Sequence, residues 1–155
     1  EAMTFPNGCH VVEVEIDPET GAVSLDRHAA VEDYGVLVNP RLASGQAHGA
    51  IAQGAGQALS EQAVYDPAGQ PLSGSFQDYA LPRAADLPAF DLGFAPTRCA
   101  TNPLGVKGCG EAATVGVYPA IVNAVLDALA PLGVRDLAGP ASPDAIWRAI
   151  RAGAA

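Results

Sequence analysis

The chain is poor in positive charge. Eight of its 155 residues are Lys or Arg against 17 Asp and Glu, a formal net charge of −9. The few cations are scattered, which leaves no basic patch for nucleic acid or an anionic membrane. Cysteine is scarce too. Cys9, Cys99 and Cys109 form neither a metal-binding pair nor an even-numbered disulfide framework, and read as reduced thiols of a cytoplasmic protein. The apolar runs look too short for a transmembrane helix, and no signal peptide is visible. Charged residues make up only 16% and hydrophobic residues 49%, so the material is globular and long enough for one domain with a core. The first residue is Glu rather than Met. The expected organisation is a single domain over 1–155, the C-terminal fragment of a longer protein.

What the chain does have is glycine at particular places. Gly105-Val106-Lys107-Gly108-Cys109-Gly110-Glu111 is a bare turn, open to positive φ and to close approach by another group. It carries the only lysine, Lys107. Val117, Ile121, Val125 and Leu129 follow at four-residue spacing and predict one buried helical face. Pro119 then belongs near that helix's start. Glu111 is placed just ahead of the helix, where it is either an acid/base group or an ordinary surface glutamate.

A second glycine set lies in the predicted helix Ala43–Glu61, at positions 45, 49, 54 and 56. Each costs a helix about 1 kcal/mol relative to Ala, so close packing or a ligand must offset it. Gln46, Gln53 and Gln57 lie among them. They are either a polar face or the donors and acceptors a heterocyclic cofactor needs.

The rest predicts sheet and loop. Val12, Val14 and Ile16 alternate with Val11, Glu13 and Glu15; Val23, Leu25, Arg27, Ala29 and Val31 alternate again after the turn Asp17–Gly21. That is a β-hairpin, with His10 and His28 expected at solvent or the strand edge. A second hairpin is expected around Asp66–Gly69, an ordered loop over Ser73–Pro88, a strand at Phe90–Phe94 and a short helix at Pro143–Arg151. The fold class is α+β: an antiparallel sheet with two long helices.

Three stretches in register carry a family resemblance. They are Asn39-Pro40 through Gly45-Gln46, Gly49, Gln53-Gly54, Gly56 and Glu61; Asp78-Tyr79 through Leu81-Pro82 and Asp86-Leu87-Pro88; and Gly105 through Lys107-Gly108-Cys109-Gly110-Glu111. Together they resemble the C-terminal part of the molybdopterin-binding large subunit of the xanthine dehydrogenase/aldehyde oxidase family, on the branch of bacterial carbon monoxide dehydrogenase large subunits. The likeness spans nearly the whole chain.

The resemblance implies an α+β cofactor-binding domain of a molybdenum hydroxylase. Such an enzyme hydroxylates an electron-poor carbon (aldehyde, N-heterocycle or purine) with oxygen from water. It passes the electrons through iron–sulfur centres to flavin. By the same likeness Glu111 is the active-site base, Gln53 hydrogen-bonds the pterin, and Gln46, Gly108, Cys109 and Gly110 contact the cofactor. Lys107 supports the loop, and no residue here ligates the metal. The implied cofactors are molybdenum–molybdopterin, in its cytosine dinucleotide form, with FAD and [2Fe-2S] on partner subunits or domains. The implied partners are the rest of the large subunit, those FAD and iron–sulfur subunits, and a small-molecule substrate; self-association of the fragment is a further possibility. Cys109 stands where a small apolar residue is expected, and Cys is small enough to serve. The fragment alone is expected to be inactive. The alternatives from the residues are a standalone module binding a pterin, nucleotide or subunit, and thiol chemistry at Cys109.

Overall fold

The computed structural model describes residues 3–153. Strands β1 (Asn7–Ile16) and β2 (Val23–Asp33) pair as the expected antiparallel hairpin. Their turn is fixed by the Asp17 carboxylate, which accepts from the Glu19 N–H and the Thr20 hydroxyl. Gly21 supplies the positive φ of 74° that other residues resist.

The alternation predicted for β2 does not survive along its length. The register slips between Glu13 and Val14, so that Val14 faces Leu25 while Glu13 faces Arg27. Asp26 is the extra residue of a β-bulge, and the side-chain phase flips there. Leu25 is inward before the bulge; His28, Ala30 and Glu32 are inward after it, and Val31 points out. His28 is therefore 1% exposed and the His10 side chain 4% exposed. Neither faces solvent, contrary to expectation.

Strand β3 (Phe90–Phe94) joins the other edge of β2, in the order β1-β2-β3. It pairs with β2 in parallel, His28 opposite Phe90 and Glu32 opposite Phe94. The sheet is mixed rather than antiparallel. The reason is topological: between β2 and β3 the chain crosses through helix α1 (Pro40–Leu59) and a long loop, which returns it in the same direction. The Asp66 turn forms, but its flanks make one bridge, Tyr65 to Pro71, and no strands. Pro71 has no N–H to extend the ladder.

Helix α1 begins at Asn39, whose side chain caps the Leu42 N–H at 3.1 Å, with Pro40 in the first turn. Helix α2 (Ala112–Leu129) buries Ala113, Val117, Ile121, Val125 and Leu129 at 0–1% exposure. The predicted apolar row is thus the spine of the core. By length and composition the stretch Ala112–Leu132 could cross a membrane, against the expectation that no apolar run was long enough; its buried row makes it a core helix here. Pro119 sits inside α2 rather than at its start. It lies on the exposed side, where water can solvate the carbonyl it leaves unpaired. Helix α3 (Pro143–Gly153) inserts Ile146 into the same core.

The four glycines of α1 divide into two pairs. A Cβ at Gly54 would lie 2.6 Å from Val117 Cβ, and one at Gly56 would lie 2.8 Å from Pro82 Cδ. Those two permit packing. Gly45 and Gly49 have nothing within 4 Å of a Cβ position. In urea unfolding of this chain, Gly54→Ala lowers stability by about 1–3 kcal/mol through overpacking. Gly49→Ala raises it by about 1 kcal/mol.

Candidate functional site

The glycine-rich loop is held at its base by the segment that leaves β2. The Val36 N–H donates to Gly105 O at 2.9 Å, and the Lys107 N–H to Tyr34 O at 2.9 Å. Gly35 and Val106 form the bridge between them. The Asn102 side chain closes the loop on itself, donating to Val106 O at 2.9 Å and accepting from the Val106 N–H at 3.1 Å.

Lys107 reaches back into the protein. Its Nζ lies 2.6 Å from Asp33 Oδ2 and 2.7 Å from Thr97 Oγ1. The pair is nearly dry, with side chains 10% and 7% exposed. Asp33 also accepts from the Gly35 N–H at 2.9 Å, the Thr97 N–H at 3.0 Å and the Thr97 hydroxyl. Burial alone would push this carboxyl up. The hydrogen bonds from Lys107, Thr97 and Gly35 outweigh it and hold Asp33 well below the usual carboxylate range.

Beyond Lys107 the restraint thins. The Gly108 N–H meets Thr4 Oγ1 at 3.3 Å. The N–H groups of Cys109, Gly110 and Glu111 have no acceptor among the described residues. Gly110 is exposed, and a Cβ there would meet nothing. Cys109 is half-buried against Tyr34, Ala43 and Ala47, the place of a small apolar residue. Glu111 is the exposed N-cap residue of α2, and its side chain makes no capping bond.

Helix α1 lies across this loop. Gln46 Nε2 donates to Gly110 O at 3.4 Å. Gly49 and Gln53 continue the same exposed face one and two turns on, and Gln53 has no hydrogen-bond partner among the described residues. Gln57, next in that row, lines an open cleft of about 340 Å³ with Glu111, Thr114, Val115, Tyr118 and Pro119. The fold therefore brings Gln46 onto Gly110, places Gln46 and Cys109 along one cavity, and sets Glu111 in a cleft with Gln57. Gln53 lies between them on the helix face. Gln57 was visible in the sequence as one of the α1 glutamines. Asp33 and Thr97 were not, because nothing near them in the chain marks them as partners of Lys107.

This surface can present two amide side chains, unpaired backbone N–H groups and bare helix backbone to a ligand rich in donors and acceptors. No group of His, Cys, Asp or Glu among the described residues could hold a metal ion. The nearest approach is the buried set His10, His28 and Glu32. His10 Nδ1 lies 3.0 Å from His28 Nε2, and His10 Nε2 lies 2.9 Å from Glu32 Oε1 without the alignment of a hydrogen bond. Burial, with the facing His10, brings His28 down to about 4, and burial raises the Glu32 carboxyl. The set is a polar island between the sheet and α2, where Gly116 leaves room for the His10 ring.

A family model described as the molybdopterin cofactor-binding domain matches residues 1–88. The chain is 40% identical over 147 residues to the nicotine 6-hydroxylase large subunit of Paenarthrobacter nicotinovorans, covering 95% of this chain and 18% of that protein. It is 33% identical over 149 residues to the carbon monoxide dehydrogenase large chain of Hydrogenophaga pseudoflava, covering 96% and 19%. The structure of quinoline 2-oxidoreductase from Pseudomonas putida 86 matches it with a TM-score of 0.91 at 40% identity, over 94% of this chain and 19% of that one. The chain thus spans less than a fifth of the length of these relatives.

Proposed function

The chain belongs to the molybdopterin cofactor-binding domain family, and from that premise we propose that it works as the C-terminal part of a molybdenum hydroxylase large subunit. The reaction is hydroxylation of an electron-poor carbon of an aldehyde, N-heterocycle or purine, with water as the oxygen source. The observation that carries this reading is the open face of α1. Gly45 and Gly49 cost the helix about 2 kcal/mol together and return no packing within this chain. They flank Gln46 and abut a loop with three successive N–H groups that find no acceptor among the described residues. A ligand seated on that face accounts for both features.

The residues fit the pterin. Gln53 and Gln46 supply paired donors and acceptors, and Gly45 and Gly49 let a flat ring system approach the helix. The Cys109 and Gly110 N–H groups serve acceptor atoms, with Gly108 holding the loop bare. When bound, the molybdenum cofactor supplies the two-electron redox chemistry and the Lewis acidity. Glu111, at the N-terminus of α2, takes up the proton released as water is consumed. The cytosine dinucleotide form of the cofactor, FAD and [2Fe-2S] on partner chains, and a cytoplasmic setting complete the proposal. Self-association would cover the apolar outer face of the sheet at Val11 and Val31 in the isolated chain.

The test is Gln53→Ala in the full-length subunit purified with its partners. Loss of one pterin hydrogen bond weakens cofactor retention by about tenfold, read as molybdenum lost on gel filtration. Gln62→Ala, an exposed glutamine beyond α1, retains it. Equal molybdenum in both variants would refute the assignment of this face.

A further inference from the structure

We propose that Asp33, Thr97 and Lys107 are positioning residues that set where the Glu111 carboxylate stands. The inference rests on the reading of Glu111 as the base. A segment with glycines at 105, 108 and 110 has no stiffness of its own. Its backbone is anchored at Gly105–Lys107 by Tyr34–Val36, and it becomes regular again only at Ala112, where α2 starts. The four residues between carry two long, exposed bonds, Gly108 to Thr4 at 3.3 Å and Gln46 to Gly110 at 3.4 Å, beside the packing of Cys109 on Tyr34, Ala43 and Ala47 and the Thr114 N–H on Glu111 O at 3.1 Å.

The last strong anchor before Glu111 is the Lys107 ammonium. It is fixed to two strand ends at once. Asp33 is the final residue of β2, and Thr97 follows β3 by three residues. The Thr97 hydroxyl accepts from Lys107 and donates to Asp33, so the three groups form a closed ring of charge-assisted bonds. Asp33 also accepts from the Gly35 and Thr97 N–H groups and, at 3.4 Å, from Asn7 Nδ2. The Asp33 and Lys107 side chains are 7% and 10% exposed, and their polar atoms are turned to each other and to Thr97. Their geometry serves to tie the glycine-rich loop to the sheet.

Thr97 allows a test that spares the buried ion pair. Thr97→Val keeps the shape and removes the hydroxyl; Thr97→Ser restores the hydroxyl. Both variants, with Glu111→Gln beside them, are made in the full-length enzyme with cofactor loaded. Amide exchange of a peptide spanning 105–111, molybdenum content, and kcat and KM are measured, the last two with whichever of nicotine, quinoline, hypoxanthine or benzaldehyde the wild type oxidises. The expected result for Thr97→Val is about tenfold faster exchange in 105–111. A fall of about tenfold in kcat per molybdenum at unchanged KM accompanies it, and Thr97→Ser behaves as wild type. Unchanged exchange in Thr97→Val overturns the inference whatever Glu111→Gln does. Faster exchange with unchanged kcat, while Glu111→Gln is inactive, also overturns it. Faster exchange with both variants fully active overturns the base assignment and leaves the anchoring of the loop standing.

Discussion

Replacing Glu111 by Gln in the loaded full-length enzyme lowers kcat by about three orders of magnitude while molybdenum stays bound. The size follows from what the substitution removes. Gln keeps the shape of the side chain and its hydrogen-bonding reach but cannot take a proton. The fold tolerates the change, because the Glu111 side chain is exposed and makes no capping bond to α2. A loss of activity therefore reports chemistry rather than misfolding. Molybdenum content, measured on the same preparation, separates a lost base from a lost cofactor. Turnover within a few-fold of wild type would remove Glu111 from the mechanism.

Replacing Lys107 by Met acts on stability first. It leaves the Asp33 carboxylate, 7% exposed, without its counter-ion. Breaking a buried pair from one side costs about 3 kcal/mol or more, and urea unfolding of this chain measures it. The effect depends on pH with a definite sign. In the wild type the folded-state pKa of Asp33 is depressed. Its contribution is fully present above the ordinary carboxylate value and is lost as pH falls through the depressed folded value. In Lys107→Met, burial is less opposed and the carboxyl titrates higher, so protonation relieves the unpaired charge. The stability gap between the two proteins is therefore widest at neutral pH and narrows on acidification. A gap that widened on acidification would mean that Lys107 does not pair with Asp33.

Parts of this fold could be read directly. The row Val117, Ile121, Val125 and Leu129 announces α2 because a buried helix face repeats at the helical period. The Asp17–Gly21 turn announces the hairpin because Asp, Pro and Gly each have a fixed job there. The β2 bulge could not be read. Arg27, Ala29 and Val31 keep up a plausible alternation even though Asp26 has moved them to the other face, and with that shift His28 and Glu32 went into the interior. The direction of β3 was equally hidden, since a five-residue strand can pair either way and only the crossover decides. The α1 glycines look alike in sequence. Only packing separates Gly54 and Gly56, which make room for Val117 and Pro82, from Gly45 and Gly49, which make room for nothing in this chain.

For the site, the residue types were legible and their connections were not. Glu111 and the glutamines stand out by their glycine neighbours, and the resemblance gave them roles. Lys107 stood out as the only lysine, but its partner Asp33 is 74 residues away and lies at the end of a strand whose phase the bulge had disguised. Long-range ion pairs of this kind leave no local signature in the sequence.

The measurement that bears most directly on the account is the molybdenum content of the full-length native protein, purified gently from its own cells. The account predicts about one molybdenum per chain, as expected of a single closed cofactor site, with iron and flavin on co-purifying chains. A protein that carries no molybdenum under conditions that preserve the metal in its relatives would contradict it, and the open face of α1 would then belong to a different ligand.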